Sequence, residues 1–285
     1  MITTAEKSNV NELKELWQTC FGDDREYIDF FFSRRFVSEN TFVYSLNGRA
    51  VAQLFLLEGF FRVNGEEYPS YYLYAACTHP SFRRKGIMGE LLEYTESAAK
   101  KRKTDFICLV PADKHLFEYY SGFSYKPVFS EKIITVNRRD YSRERSAETA
   151  FPEAQKDISG FRNKNLTGSD CFLWDNDALK YAADENVFSD GGFICDGSGY
   201  ALFRPDGENV CRVIEICARS GETRGLLNAV FDFSGAERLI INAPLDFETD
   251  DVFEVSNNAM ALSVTERAKK LIEKIDGAFF GLPLE

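Results

Sequence analysis

Histidine is nearly absent from this chain, and the two that occur, His79 and His115, form no HExxH pair. A zinc hydrolase of that type is excluded. The seven cysteines, at 20, 77, 108, 171, 195, 211 and 217, form no CxxC pair either. Odd in number and scattered, they fit reduced, structural thiols in a cytoplasmic protein better than a disulfide framework. Long apolar runs are missing: LFLLEGFF at Leu54–Phe61 is broken by Glu58 and Gly59, so no membrane span is expected. The opening MITTAEKSNVNELKELW is acidic and polar where a secretory signal needs an apolar core. Positive charge is scarce, with 34 Lys+Arg against 45 Asp+Glu and a net charge of −11. Nucleic acid, whose phosphates demand a basic surface, is not an expected partner. Neither GxxxxGK[ST] nor GxGxxG occurs, which removes the main support for an ATPase or a dinucleotide-dependent dehydrogenase.

What is abundant is ring area. The 26 Phe and 13 Tyr, within an apolar fraction of 44%, supply enough buried surface to fold the 285 residues as one large or two ordinary domains. Apolar spacing predicts helices over Asn9–Thr19 and Arg25–Phe36. Strands are expected at Thr41–Leu46, Arg49–Phe61 and Tyr68–Thr78, with Asn47-Gly48 and Asn64-Gly65 as turns. A helix over Gly86–Lys101, a strand at Asp105–Val110, a short helix over Ala112–Tyr120 and a strand over Phe123–Val136 follow. That order argues for an α/β fold with a mixed central sheet. Arg138–Gly160 carries five basic and five acidic residues with few apolar ones, and it reads as a polar connector. The expected division is 1–137, a connector at 138–169, and a second α/β domain at 170–285. The second part repeats hairpin, strand, helix and strand (Gly192–Phe203, Arg212–Ala218, Glu222–Phe231, Arg238–Ala243), followed by a strand at Ala259–Val264 and a helix over Thr265–Ile275.

The informative stretch is AACTHPSFRRKGIMGELLEY, Ala75–Tyr94. A strand ends at Pro80, a basic turn follows, and a helix begins near Gly86. The first N–H groups of a helix have no partner within it and carry the positive end of its dipole. Gly86 tolerates a left-handed conformation, and Gly89 lets an anion approach the first turn. Arg83, Arg84 and Lys85 add charge at the rim. Seven basic against three acidic residues make Arg83–Lys103 a +4 island in an acidic protein, suited to a polyphosphate; Lys100–Lys103 taken alone reads as a solvated helix end.

Here the chain resembles the GCN5-related N-acetyltransferase (GNAT) superfamily, whose signature [R/Q]xxGx[G/A] stands as Arg83-Arg84-Lys85-Gly86-Ile87-Met88. Met88 departs from the usual small residue, and RRKGIM is closer in style to the Eis-like tandem-domain acetyltransferases. A second match is PADKHLFEYYSGFSYKPVF, where Tyr120-Ser121-Gly122-Phe123-Ser124-Tyr125 lies on the family's Y-x-[K/R]-F-G-[F/Y]. Gly122 replaces the basic residue and Ser124 the glycine. The resemblance covers about the first 135 residues and extends weakly to a second, degenerate GNAT-like domain; the length leaves no room for the sterol-carrier-like third domain of larger relatives.

The resemblance implies acetyl transfer from acetyl-CoA to an amine. Main-chain groups of Arg84, Lys85, Gly86, Ile87, Met88 and Gly89 would hold the pyrophosphate, and those of Ala76, Cys77 and Thr78 the pantetheine arm or acetyl carbonyl. Tyr120 takes the place of the general acid, with Tyr119 as the competing assignment. For the base, Glu58, Glu66, Glu67, Asp113 and the terminal carboxylate at Glu285 stay open, and Glu285 rests on the resemblance. The acceptor is a small-molecule amine or a protein amine, and a homo-oligomer is compatible with the pattern. Two other readings stand beside this one. The departures at Met88, Gly122 and Ser124 suit an acyl-CoA-binding or regulatory module with weak catalysis, and the duplicated architecture suits an aminoacyl-tRNA-dependent transferase.

Overall fold

Helical spacing at Leu13, Leu16 and Trp17 buries one face of the first long helix, and from there the chain alternates strands with helices. A computed structural model describes residues 1–141, 158–166, 170–195 and 197–282. In chain order the elements are β1 (Ile2–Thr4), α1 (Val10–Phe21), α2 (Arg25–Arg34), β2 (Thr41–Leu46), β3 (Arg49–Val63), β4 (Glu66–Thr78), α3 (Ile87–Lys101), β5 (Phe106–Leu109), α4 (Lys114–Ser121) and β6 (Lys126–Asn137). Then come α5 (Ile158–Asn165), β7 (Cys171–Leu173), α6 (Asn176–Phe188), β8 (Gly192–Cys195), β9 (Gly199–Pro205), β10 (Val210–Ala218), α7 (Thr223–Ser234), β11 (Arg238–Ala243), β12 (Phe253–Ser263) and α8 (Glu266–Ile272). The spacing-based reading anticipates most of these within a few residues and misses β1, β7 and α5. Two of these are three-residue strands, too short to show a period, and α5 is only weakly amphipathic. β12 begins six residues before the expected Ala259, because exposed Phe253 and Val255 followed by Asn257-Asn258 do not display a buried strand's pattern. Most of the expected polar connector, 142–157 and 167–169, lies outside the described residues, as does Glu285.

The chain divides into two compact units that are not contiguous in sequence. The first comprises Met1–Phe60, Tyr68–Pro127 and Ala259–Lys274; the second takes Phe61–Glu67, Val128–Asn258 and the segment from Ile275 on.

In the first unit the strand order is β1-β2-β3-β4-β5-β12. β1 and β2, and β2 and β3, run antiparallel. β4 and β5, joined through α3, run parallel, and β12 closes against β5 antiparallel, with Met260 opposite Leu109. Both Asn-Gly turns form with left-handed φ at each central residue, 51° and 77° at Asn47-Gly48 and 52° and 81° at Asn64-Gly65, as a two-residue hairpin of this twist requires. One sheet face buries Leu54, Leu73, Ile107 and Met260 against Leu91 and Leu92 of α3. Trp17 of α1 packs against Phe31, Phe55 and Tyr74 at ring-centroid distances of 4.9, 5.4 and 5.7 Å. Much of the ring surplus is thus core. At the end of α3 the basic run is not simply solvated: Arg102 donates to Asn40 Oδ1 (2.8 Å) and Glu39 O (2.5 Å). The 259–274 segment is held by Asp105, which is fully buried and accepts from Thr265 Oγ1 (2.5 Å) and Arg267 Nε (2.7 Å).

The second unit has the order β12-β6-β11-β10-β9-β8. β8, β9 and β10 are antiparallel, β10 and β11 are parallel around α7, and β11 and β6 are antiparallel. The repeated hairpin, strand, helix and strand expected from the spacing is therefore present. Its core gathers Val136, Phe203, Val213, Leu226, Phe231 and Leu239. Beside it lies a fully buried ion pair, Arg162 to Glu215, made twice at 2.9 and 2.8 Å, with Arg162 also donating to Phe172 O (2.7 Å). Gly281 packs so closely that a Cβ there would stand 2.2 Å from Glu215 Oε2 and 2.6 Å from Arg162 Nη2. Removing one partner of such a pair strands the other charge in the core, which costs about 3–5 kcal/mol. Glu215→Ala is expected to lower the unfolding free energy by about that much in a urea titration, and a loss below 1 kcal/mol would show that water reaches Arg162.

Candidate active site

β4 and β5 stay together for three register pairs, Ser70 with Phe106, Tyr71 with Ile107 and Tyr72 with Cys108. β5 then ends at Leu109, while β4 runs on to Thr78. From Leu73 onward β4 therefore has no ladder partner on its β5 side. The departure is marked in the backbone, because Ala75 adopts φ 46°. A left-handed conformation in a residue that carries a Cβ is strained. Ala76 and Thr78 are half-buried and Cys77 is buried. Thr78 Oγ1 is shielded from solvent and has no hydrogen-bond partner among the described residues.

The turn beyond β4 is built by its own side chains. His79 Nδ1 accepts from the Ser81 N–H at 3.2 Å, Arg83 Nε donates to Thr78 O at 3.0 Å, and Lys85 Nζ donates to Ser81 O at 3.1 Å. Lys85 also sits 5.0 Å over the Phe82 ring. Arg83 and Lys85 thus shape the loop, whereas the exposed Arg84 has no protein partner among the described residues. Arg84 and Gly86 are left-handed, at φ 60° and 81°. The first intrahelical bond of α3 runs from Glu90 N–H to Gly86 O at 3.1 Å, leaving the N–H groups of Ile87, Met88 and Gly89 without acceptors in the helix. A Cβ on Gly86 would meet no atom within 4 Å, so the space over the loop is open.

Gly89 also meets a packing demand. A Cβ there would lie 3.0 Å from Phe123 Cζ and 3.2 Å from Cε1. Its missing side chain lets α3 close on the ring that follows α4. Met88 packs against the same core as Tyr120.

α4 starts at the Asp113 N-cap, whose carboxylate accepts from the N–H groups of His115 (2.8 Å) and Leu116 (3.1 Å). That bonding accounts for Asp113 as a cap. Glu58 accepts from Asn40 Nδ2 at 3.1 Å, while Glu66 and Glu67 fall in the second unit. Tyr120, on the last turn of α4, is 8% exposed and shares a core with Ile87, Leu91 and Leu109. Its ring meets Tyr119 at 5.3 Å and Tyr125 at 5.7 Å, both edge-on. Burial, with a smaller contribution from Tyr119, raises its phenol well above the usual tyrosine range, so it stays protonated at neutral pH. Its hydroxyl has no hydrogen-bond partner among the described residues. Tyr119 is 39% exposed and packs on Phe123 at 5.2 Å. In the turn after α4 the left-handed residue is Ser124 (φ 67°), while Gly122 is right-handed (φ −62°). Ser124 therefore keeps a backbone shape that glycine adopts more easily.

Ala76–Thr78, the 84–89 loop and Tyr120 thus belong to one unit, around the point where two parallel strands part and a helix begins. Sequence reasoning overlooked Gln53, wholly buried on β3 with both amide atoms unpartnered among the described residues. Its signal was available as one polar residue inside AVAQLFLL. Among the described residues no group of three or more His, Cys, Asp or Glu could hold a metal, and no helix is long and apolar enough to cross a membrane.

The fold is similar to that of GNAT acetyltransferases. Residues 1–128 match the family described as an acetyltransferase (GNAT) domain. Over nearly the whole chain, a probable N-acyltransferase from Enterococcus faecalis superposes with a TM-score of 0.76 at 13% identity, covering 94% of this chain and 73% of that one. Eis1 from Mycobacterium abscessus gives 0.68 at 14%, covering 93% and 74%. A tandem GNAT protein from the clavulanic acid biosynthesis pathway gives 0.52 at 11%, covering 93% and 99%. No curated protein matches the chain in sequence.

The Gly89 contact leads to a test independent of any ligand. Gly89→Val is expected to destabilise the protein by about 1–3 kcal/mol through overpacking against Phe123, measured by chemical denaturation. An unchanged midpoint would show that Phe123 swings aside freely.

Proposed function

We infer that the protein is an N-acetyltransferase that moves an acetyl group from acetyl-CoA to a primary amine by direct attack in a ternary complex. The observation that carries this reading is the parting of β4 from β5 directly before a left-handed basic turn and the open N-terminus of α3. The residues fit a donor with a pyrophosphate and an amide-bearing arm. Free N–H groups at Ile87–Gly89, an unpartnered Arg84 and the open space over Gly86 suit the phosphates. The ladder-free edge of Ala76–Thr78, with the orphaned Thr78 hydroxyl, suits the arm. When bound, the donor supplies an activated thioester acyl group.

The rest is done by the chain. Main-chain N–H groups at the free edge of β4 polarise the acyl carbonyl oxygen. Tyr120, neutral and with a free hydroxyl, donates a proton to the departing thiolate. No acyl-enzyme is needed, and Cys77 is poorly suited to form one because burial keeps its thiol protonated. The second unit serves as a degenerate GNAT-like repeat. It shares the order hairpin, strand, helix, strand, but an acidic Glu222 occupies the N-cap of α7, where a phosphate would be repelled. A small-molecule or protein amine is the acceptor, and the acidic balance of the chain favours a cation.

Two variants test this. Tyr120→Phe is expected to lower kcat about 100-fold with the acetyl-CoA Kd unchanged, measured by thiol release over an amine panel and by calorimetry; full turnover would remove Tyr120 from the acid role. Gly86→Val forces a β-branched residue into left-handed backbone, a strain of about 1–2 kcal/mol. Affinity for acetyl-CoA should fall about 10-fold, and wild-type affinity would discard the phosphate loop.

A further inference from the structure

The second unit holds a cavity of about 300 Å³ for which the acyl-transfer reading has no use. Three turns meet around it: the one between α6 and β8, the one joining β9 to β10, and the one that ends α7. Each carries a residue in left-handed backbone, Asp190, Asn209 and Gly235, at φ 59°, 56° and 66°. Hydrogen bonds pin these turns in place. Buried Asn186 donates from Nδ2 to Gly192 O (2.6 Å) and Phe203 O (2.7 Å), and its own carbonyl accepts the Gly191 N–H at 2.7 Å. Asn209 O accepts from the N–H groups of Glu237 (2.9 Å) and Arg238 (3.2 Å), which ties the β9–β10 turn to the turn after α7. A cavity whose walls are fixed in advance loses little conformational freedom when it fills.

The walls combine rings with negative charge. Phe203 and Phe233 meet edge-on at 5.5 Å, and Phe233 is a lining ring that the fold leaves 51% exposed. The polar part has one sign. Asp190 is the only charged residue among those lining the cavity, with no Lys, Arg or His beside it. Its side chain is exposed and has no partner among the described residues. Ser234 and Gly235 bring the C-terminal end of α7 to the same cavity, and that end carries the negative pole of the helix dipole. A carboxylate and a helix C-terminus repel an anion and attract a cation, while phenyl rings favour an apolar body that carries positive charge.

We propose that this cavity binds a small organic cation with an aromatic body, its positive group beside Asp190 and its ring against Phe203 and Phe233. All of its residues lie in the second unit, none belongs to the acyl-transfer machinery assigned above, and the cation need not be an acyl acceptor. The two units then offer opposite helix ends to opposite charges. The first presents the N-terminus of α3 to phosphates, and the second presents the C-terminus of α7 to a cation.

The test uses the full-length protein and benzyltrimethylammonium, which has no N–H and so cannot be acylated. Calorimetry is expected to give a Kd of about 0.1 mM, and phenylacetate, of similar size and opposite charge, should bind at least about 10-fold more weakly. Asp190→Asn removes the charge while keeping a residue that accepts left-handed backbone, and affinity should fall about 5-fold. Phe233→Ala removes the exposed ring and should cost about 10-fold. Glu208→Gln removes an exposed carboxylate of the β9–β10 turn that does not line the cavity, and it should change nothing. Circular dichroism checks that each variant keeps its fold. Absence of saturable binding up to about 5 mM would overturn the site, as would undiminished affinity in both Asp190→Asn and Phe233→Ala. Equal affinity for phenylacetate, or a loss in Phe233→Ala alone, would overturn the preference for a cation.

Discussion

Everything at the candidate site depends on a ladder that stops. Parallel strands normally satisfy one another's peptide groups along their length, but β5 ends after three pairs while β4 continues for six more residues. The polar backbone exposed by that mismatch must find partners. Part of the answer is internal, since Arg83 reaches back to Thr78 O. The remainder faces open space together with the N-terminus of α3. A strand end rich in unused donors and a helix end rich in unused donors share one locale, and the strain at Ala75 helps keep them there.

How much of this could be read beforehand depends on the range of the forces involved. Turn chemistry and helix periodicity are local, so Asn47-Gly48, the α3 stripe and the β11 boundaries were legible from composition and spacing. The left-handed Gly86 was legible for the same reason. The close approach of Gly89 to Phe123, 34 residues away in the chain, announces itself only through packing. Ser124 shows a milder form of the problem: a family position lacking its glycine still takes the glycine's conformation, because the surrounding turn dictates φ. Glutamine in a strand of aliphatic residues was visible, yet nothing in the alternation says that both its amide atoms would be enclosed.

Charge behaves unevenly around the first unit. The island at Arg83–Lys103 looked like one basic surface, but its members divide by task. Arg83 and Lys85 are consumed in shaping the turn, Arg102 anchors α3 to the 39–40 segment, and Arg84 is left over. A count of cations therefore overstates the field available to a ligand, while the helix N-terminus, which carries no formal charge, accounts for more of it. In the second unit α7, which follows β10, has Glu222 at its N-cap.

The assignment of Ala259–Lys274 to the first unit also bears on how the protein is made. Synthesis proceeds from the N-terminus, so β5 emerges about 150 residues before β12, the strand that pairs with it. Throughout that interval β5 is an unpaired edge, and Asp105 waits for Thr265 and Arg267. The first unit is first in sequence, yet it is completed only once residues 259–274 have emerged, and a nascent chain stalled before residue 259 would carry an open β-sheet edge of the kind that aggregates.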